Sequence, residues 1–143
     1  MVPIRFTIPG PPQGKARART YYNSKLGRSV SHTPDGTVLY ENLIRMCYGQ
    51  ISDFIFEGET PISIRITAFF QPAKSTTKKR LAEMLAGNIL PTKKPDADNV
   101  AKVVLDALNG CAYGDDKQVV KLEVIKRYDV HPRVEVELNS IEK

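Results

Sequence analysis

Between Pro61 and Arg127 the spacing of the apolar residues changes twice. Ile62, Ile64, Ile66 and Ala68 alternate with Ser63, Arg65 and Thr67, the period of a half-buried strand. Val100, Val103, Val104, Ala107 and Leu108 then follow one stripe of a helix, and from Val119 to Arg127 the alternation returns. A strand, a helix and a strand in that order call for helices laid on a sheet.

The remaining segments extend this pattern. Val2 to Ile8 alternates as a strand and ends at Pro9-Gly10-Pro11-Pro12. From Gln13 to Pro34 the chain carries Lys15, Arg17, Arg19, Lys25 and Arg28 with Tyr21 and Tyr22 and no acid, an irregular basic loop or a loose hairpin. Asp35 or Thr37 caps a helix running to about Tyr48, and Ser75 caps a second from Thr76 to about Leu85. The third starts at Asp98 or Asn99 and is closed by Asn109-Gly110. Val119 to Arg127 and Arg133 to Leu138 are expected to pair as a hairpin. The expected fold is a single compact α/β (α+β) domain over residues 1–143, a mixed sheet of about four strands flanked by about three helices.

Composition removes several classes of protein. No apolar run approaches the ~20 residues of a membrane span. The two cysteines, Cys47 and Cys111, form no CxxC pattern, which excludes a thiol zinc knuckle and a disulfide scaffold and suits a cytoplasmic protein. The net charge of +5 is unevenly distributed. Asp96 to Asp116 holds five acids and one base, so the rest of the chain carries a net +9. A basic body favours nucleic acid, and carboxylates gathered inside it would repel that polyanion unless a divalent cation fills them.

Two acidic stations carry this reading. In Lys94-Pro95-Asp96-Ala97-Asp98-Asn99, an extended backbone would put Asp96 and Asp98 on one face, ahead of a helix N-terminus. Two such carboxylates suit a hard cation such as Mg²⁺; read alone, the motif is more often a helix cap at Asp98 and a solvated loop residue at Asp96. Gly114-Asp115-Asp116 alone is a turn. Together, acids from separate elements fit metal-assisted phosphodiester hydrolysis. Lys102, four residues after Asp98, can stabilise charge on a phosphate or form an i,i+4 pair with Asp106.

Lys94-Pro95-Asp96-Ala97-Asp98-Asn99, Lys102, Asp106-Ala107-Leu108-Asn109 and Asp115-Asp116-Lys117-Gln118-Val119 together resemble the signature of the RusA family of Holliday junction resolvases. Ile8-Pro9-Gly10-Pro11-Pro12 resembles that family's opening strand and proline turn, so the likeness covers nearly the whole chain. The resemblance implies a bacterial or phage-encoded Mg²⁺-dependent endodeoxyribonuclease, with Mn²⁺ as an alternative ion. It implies a homodimer nicking two strands of a four-way DNA junction symmetrically, in recombination and repair. By position, Asp96, Asp98 and Asp116 match the metal-binding acids, Asp115 is a neighbouring candidate ligand, and Lys102 matches the catalytic lysine.

Lys15, Arg17, Arg19 and Lys94 are candidate phosphate contacts, and Tyr21 and Tyr22 can stack on bases at a branch point. Gly10 to Lys15 is not a phosphate loop, since its glycines are too close and two prolines remove backbone donors. His32 and His131 read as surface residues. Two rival functions stay open: a broader structure-selective nuclease for flaps or forks, and a protein that binds branched DNA without cutting it.

Overall fold

Isoleucines at alternate positions after Pro61 give that stretch one fully buried face. In the computed structural model, which describes residues 2–16, 19–32 and 34–141, strand β1 (Ile4–Pro9) comes first, then a hairpin of β2 (Arg19–Asn23) and β3 (Arg28–His32). Helix α1 (Asp35–Ile51), strand β4 (Ile62–Phe70) and helices α2 (Lys78–Leu85) and α3 (Ala97–Leu108) follow. A 3-10 turn, Asp116–Gln118, leads into β5 (Val119–Tyr128) and β6 (Arg133–Ser140). The main sheet has the order β1-β6-β4-β5, with β4 and β5 parallel and the other pairs antiparallel. The expected mixed four-stranded sheet with three helices is therefore present. Among the described residues no helix is long and apolar enough to cross a membrane.

One expected pairing fails. β5 and β6 are consecutive but do not form a hairpin, because β4 lies between them. The connecting turn crosses the end of β4, where the Asp129 N–H donates to Phe70 O at 3.0 Å. Arg133 braces it by donating to the Asp129 carboxylate and to His131 O. Alternation identifies a strand and its buried face but not its neighbour, and β4, with Ile62, Ile64, Ile66, Ala68 and Phe70 all buried, takes a partner on each edge.

The buried face of the sheet is covered by α1 and α3. Phe6 and Ile8 of β1, the isoleucines of β4, and Val134, Val136 and Leu138 of β6 pack with Tyr40, Ile44 and Tyr48 of α1. Val100, Val103, Val104, Ala107 and Leu108 of α3 complete the core. α3 is the crossover between the parallel strands β4 and β5, so it runs back along the sheet, its start at their carboxyl ends and its finish near the entry to β5. The other face is polar: Arg5, Glu137, Arg65 and Glu123 lie opposite one another in a row across all four strands.

Several boundaries shift for local reasons. α1 extends to Ile51 and is preceded by Pro34, whose fixed φ suits a helix start. Thr77 rather than Ser75 caps α2, accepting from the Arg80 N–H at 3.3 Å. The basic stretch forms a true hairpin, closed where the Asn23 side chain accepts from the Lys25 and Leu26 N–H groups and Gly27 takes φ +66°.

Gln118 ties the entry of β5 to the rest of the body. Its buried amide donates to Glu57 O at 2.6 Å and its carbonyl accepts from the Gly114 N–H at 3.1 Å. Gln118→Leu strands both backbone groups and is expected to destabilise the fold by about 2–4 kcal/mol. Urea unfolding measures this; a loss below ~0.5 kcal/mol would show that the backbone groups find other partners.

Candidate functional site

The first acidic station sits where α3 begins. The Lys94–Pro95 peptide is cis, and Asp96, in an extended conformation, is the N-cap residue of a helix that starts at Ala97. The Asp96 and Asp98 carboxylates are thus presented from the cap and first turn of a helix, not from the expected extended strand. The Asp96 side chain makes no capping hydrogen bond. Neither carboxylate has a hydrogen bond or ion pair among the described residues, and both are exposed. The positive end of the helix dipole favours their charge here. Lys102 stands one turn further along, exposed, and it too has no ion pair among the described residues.

Asp106, the alternative partner for Lys102, is engaged by Lys15. The segment leading to Lys15 is pressed onto α3: a Cβ on Gly14 would stand 2.9 Å from the Asn99 Cβ and 3.0 Å from the Pro95 Cβ. The Lys15 N–H donates to Asn99 O at 2.9 Å, and the Ala16 N–H donates to Thr37 Oγ1 at 3.3 Å on α1. The Lys15 ammonium lies 3.2 Å from both Glu41 Oε2 and Asp106 Oδ2. Burial alone would lower its pKa, but hydrogen bonds to Glu41 and Asp106, reinforced by their charges, hold it above the ordinary lysine value. Lys15, a candidate phosphate contact, is therefore bound by two carboxylates. Glu41 was missed in the sequence, although it falls on the buried stripe of α1 defined by Thr37, Ile44 and Tyr48.

The second station lies at the opposite end of α3. Asp115 accepts from the Lys117 N–H at 3.0 Å and forms a capping box with Gln118. The Asp116 carboxylate has no hydrogen bond among the described residues and is half-buried. Tyr113, wholly buried, donates its hydroxyl to Leu105 O at 2.8 Å and fastens this turn to the last part of α3. Burial foremost, then the charges of Asp116, Asp106 and Asp115, push the Tyr113 hydroxyl far above the usual tyrosine range. A helix of 12 residues spans roughly 18 Å, so Asp96 and Asp98 are held away from Asp116 within one chain. Consistently, no three His, Cys, Asp or Glu side chains among the described residues are grouped to hold a metal ion. Among the described residues the two stations do not form a cluster within one chain.

Basic and aromatic residues gather at the Asp96 end. The Lys126 ammonium donates to Lys93 O at 2.6 Å, and both lysines lie over the Phe70 ring, at 5.1 and 6.0 Å, with Lys93 also over Tyr128. Lys94 is exposed beside them. The β2–β3 hairpin departs from the same end, beyond Ala16, with Tyr21 51% and Tyr22 67% exposed. Arg17 and the side chains of Arg19 and His32 lie outside the described residues. A groove of about 590 Å³, lined by Arg5, Gln50, Ile51 and Arg65 among others, includes no residue of either acidic station.

The Asp96/Asp98 pair fits a hard divalent cation on the chemistry of its donors. Both are oxygen ligands without a hydrogen bond or ion pair among the described residues, and Mg²⁺ is commonly held by one or two carboxylates together with water and substrate phosphate.

Comparison with known proteins identifies the family. The chain is 32% identical over 139 residues, 96% of each chain, to the uncharacterized protein YqaN of Bacillus subtilis (strain 168). The family model described as endodeoxyribonuclease RusA matches residues 9–139, which takes in the opening proline turn, both acidic stations and the strands after them. The chain belongs to the RusA family of endodeoxyribonucleases.

Proposed function

We propose that this protein is a Mg²⁺-dependent endodeoxyribonuclease that resolves four-way DNA junctions in recombination and repair, working as a homodimer that nicks two strands symmetrically. The observation that carries the proposal is the pair of exposed carboxylates, Asp96 and Asp98, without a hydrogen bond or ion pair among the described residues, one helical turn from an equally exposed Lys102 and at the end of the molecule that holds Lys93, Lys94 and Lys126.

In this reading Asp96 and Asp98 hold the ion, Mg²⁺ or Mn²⁺, which when bound supplies positive charge to a phosphoryl centre gaining negative charge. Lys102 projects along α3 from the same station and stabilises the phosphate oxygens. Arg17, Arg19 and Lys94 grip the backbone of the junction, and Tyr21 and Tyr22 stack on bases exposed at the branch point. Asp116 completes the acidic set. Because α3 separates it from Asp96 and Asp98 in one copy, a site using all three draws Asp116 from a second copy.

The surface of α1 supports pairing. Leu39, 69% exposed, and Met46, 58% exposed, stand two turns apart on one face of α1, apolar surface of the kind a partner covers. α1 and α3 run in the same direction, since Ala16 and Thr37 lie by the start of α3 and Phe56 bonds Ala112 beyond its end. A two-fold axis crossing α1 at right angles then sets the Asp116 end of one copy beside the Asp98 end of the other.

The direct test is incision of a synthetic four-way junction with and without Mg²⁺. Asp98→Asn is expected to lower the nicking rate by roughly 100-fold or more. Wild-type cutting by that variant, or by the native protein in excess chelator, would overturn the metal assignment. Flap and fork substrates supplied in competition separate junction resolution from a broader branched-DNA nuclease.

A second experiment addresses the shared site. Asp98→Asn and Asp116→Asn chains are each expected to be inactive, while co-expression gives mixed dimers containing one intact constellation. Those dimers should nick a single strand; mixed dimers without activity would place Asp116 outside the metal site of its partner.

A further inference from the structure

We propose that Lys15 is a positioning residue for the nuclease reaction: by occupying Asp106, it keeps Lys102 free to meet the phosphate. This rests on the role assigned to Lys102 above. Asp98, Lys102 and Asp106 recur every four residues on one face of α3, so Lys102 has a carboxylate within reach on either side. Capture by Asp106 would draw its ammonium away from the Asp98 end of the helix. In the structure Lys102 has no ion pair among the described residues, and the Asp106 carboxylate is 3.2 Å from Lys15.

The engagement is specific in construction. Lys15 reaches Asp106 from a segment fixed at three further points: Gly14 against Asn99 and Pro95, its own N–H on Asn99 O, and Ala16 on Thr37. Its ammonium also holds the Glu41 carboxylate, which belongs to a residue only 8% exposed. Two carboxylates removed from most of their solvent need a cation, and the pairing is worth more there than between exposed side chains. If Lys15 loses its charge, Lys102 is the lysine on the same helix face one turn from Asp106, and it is drawn in.

The test compares wild type, Lys15→Met and the triple variant Lys15→Met/Glu41→Gln/Asp106→Asn, which removes the charge of the whole cluster. The first readout needs no enzymatic activity: acetylation of the Lys102 amine by a limiting acylating reagent, followed site by site by mass spectrometry. Lys15→Met should slow modification of Lys102 about threefold or more, and the triple variant should restore it. The second readout is single-turnover junction cleavage, expected to fall about tenfold in Lys15→Met and to recover to within about threefold of wild type in the triple variant. A purely structural role for Lys15 would leave Lys102 reactivity unchanged and cleavage unrecovered; either result overturns the proposal. Lys15→Arg, which keeps the charge, is expected to track wild type in both readouts and serves if Lys15→Met does not fold. Absence of cleavage by the wild-type protein would overturn the nuclease reading instead, with Lys102 reactivity still deciding the role of Lys15.

Discussion

The burial of one face of α3 fixes where all the chemistry can occur. Val100, Val103, Val104, Ala107 and Leu108 are entirely enclosed between the sheet and α1, so the helix cannot tilt or slide without opening the core. Such a member holds its two ends at a set separation. The aspartates at its start and those beyond its end are thereby assigned to opposite ends of the protomer, and Lys102 and Asp106 are spaced along the rod between them. The surface chemistry follows from an apolar seam that touches no substrate.

How much of this could be read in the sequence depended on the range of the interaction. Periodicity located β4, α3 and β5, because the requirement that one face be dry is written every two or every three to four residues. The acidic stations were legible as dense local motifs. The order of strands was not: the stretches ending in Arg127 and beginning at Arg133 look like two arms of a hairpin, and their periodicity carries no sign that β4 inserts between them. Nor was the relative placement of the stations, since a helix between two motifs both joins them in sequence and separates them in space.

The contacts hardest to anticipate link residues far apart in the chain. Lys15 belongs to a run of positive charge that resembles a solvated nucleic-acid arm, yet it lies against Glu41 and Asp106. Glu41 alone carried a trace of this, as an acid on a stripe of otherwise apolar or small residues. Tyr113 gave no comparable sign: in sequence it is one more aromatic in a short turn, and in the fold its hydroxyl on Leu105 O anchors the second station.

The polar face of the sheet has its own bearing on how a large, charged ligand would arrive. Arg5, Glu137, Arg65 and Glu123 alternate in sign along a straight line, with Arg5 on Glu137 at 3.4 Å and Arg65 on Glu123 at 3.3 Å. Each pair cancels at short range, leaving that broad flank hydrated but nearly silent as an electrostatic source. Lys93, Lys94 and Lys126 carry positive charge at a different part of the surface, by the start of α3. A polyanion diffusing past meets little pull from the paired flank, so its approach is governed by charges elsewhere on the surface.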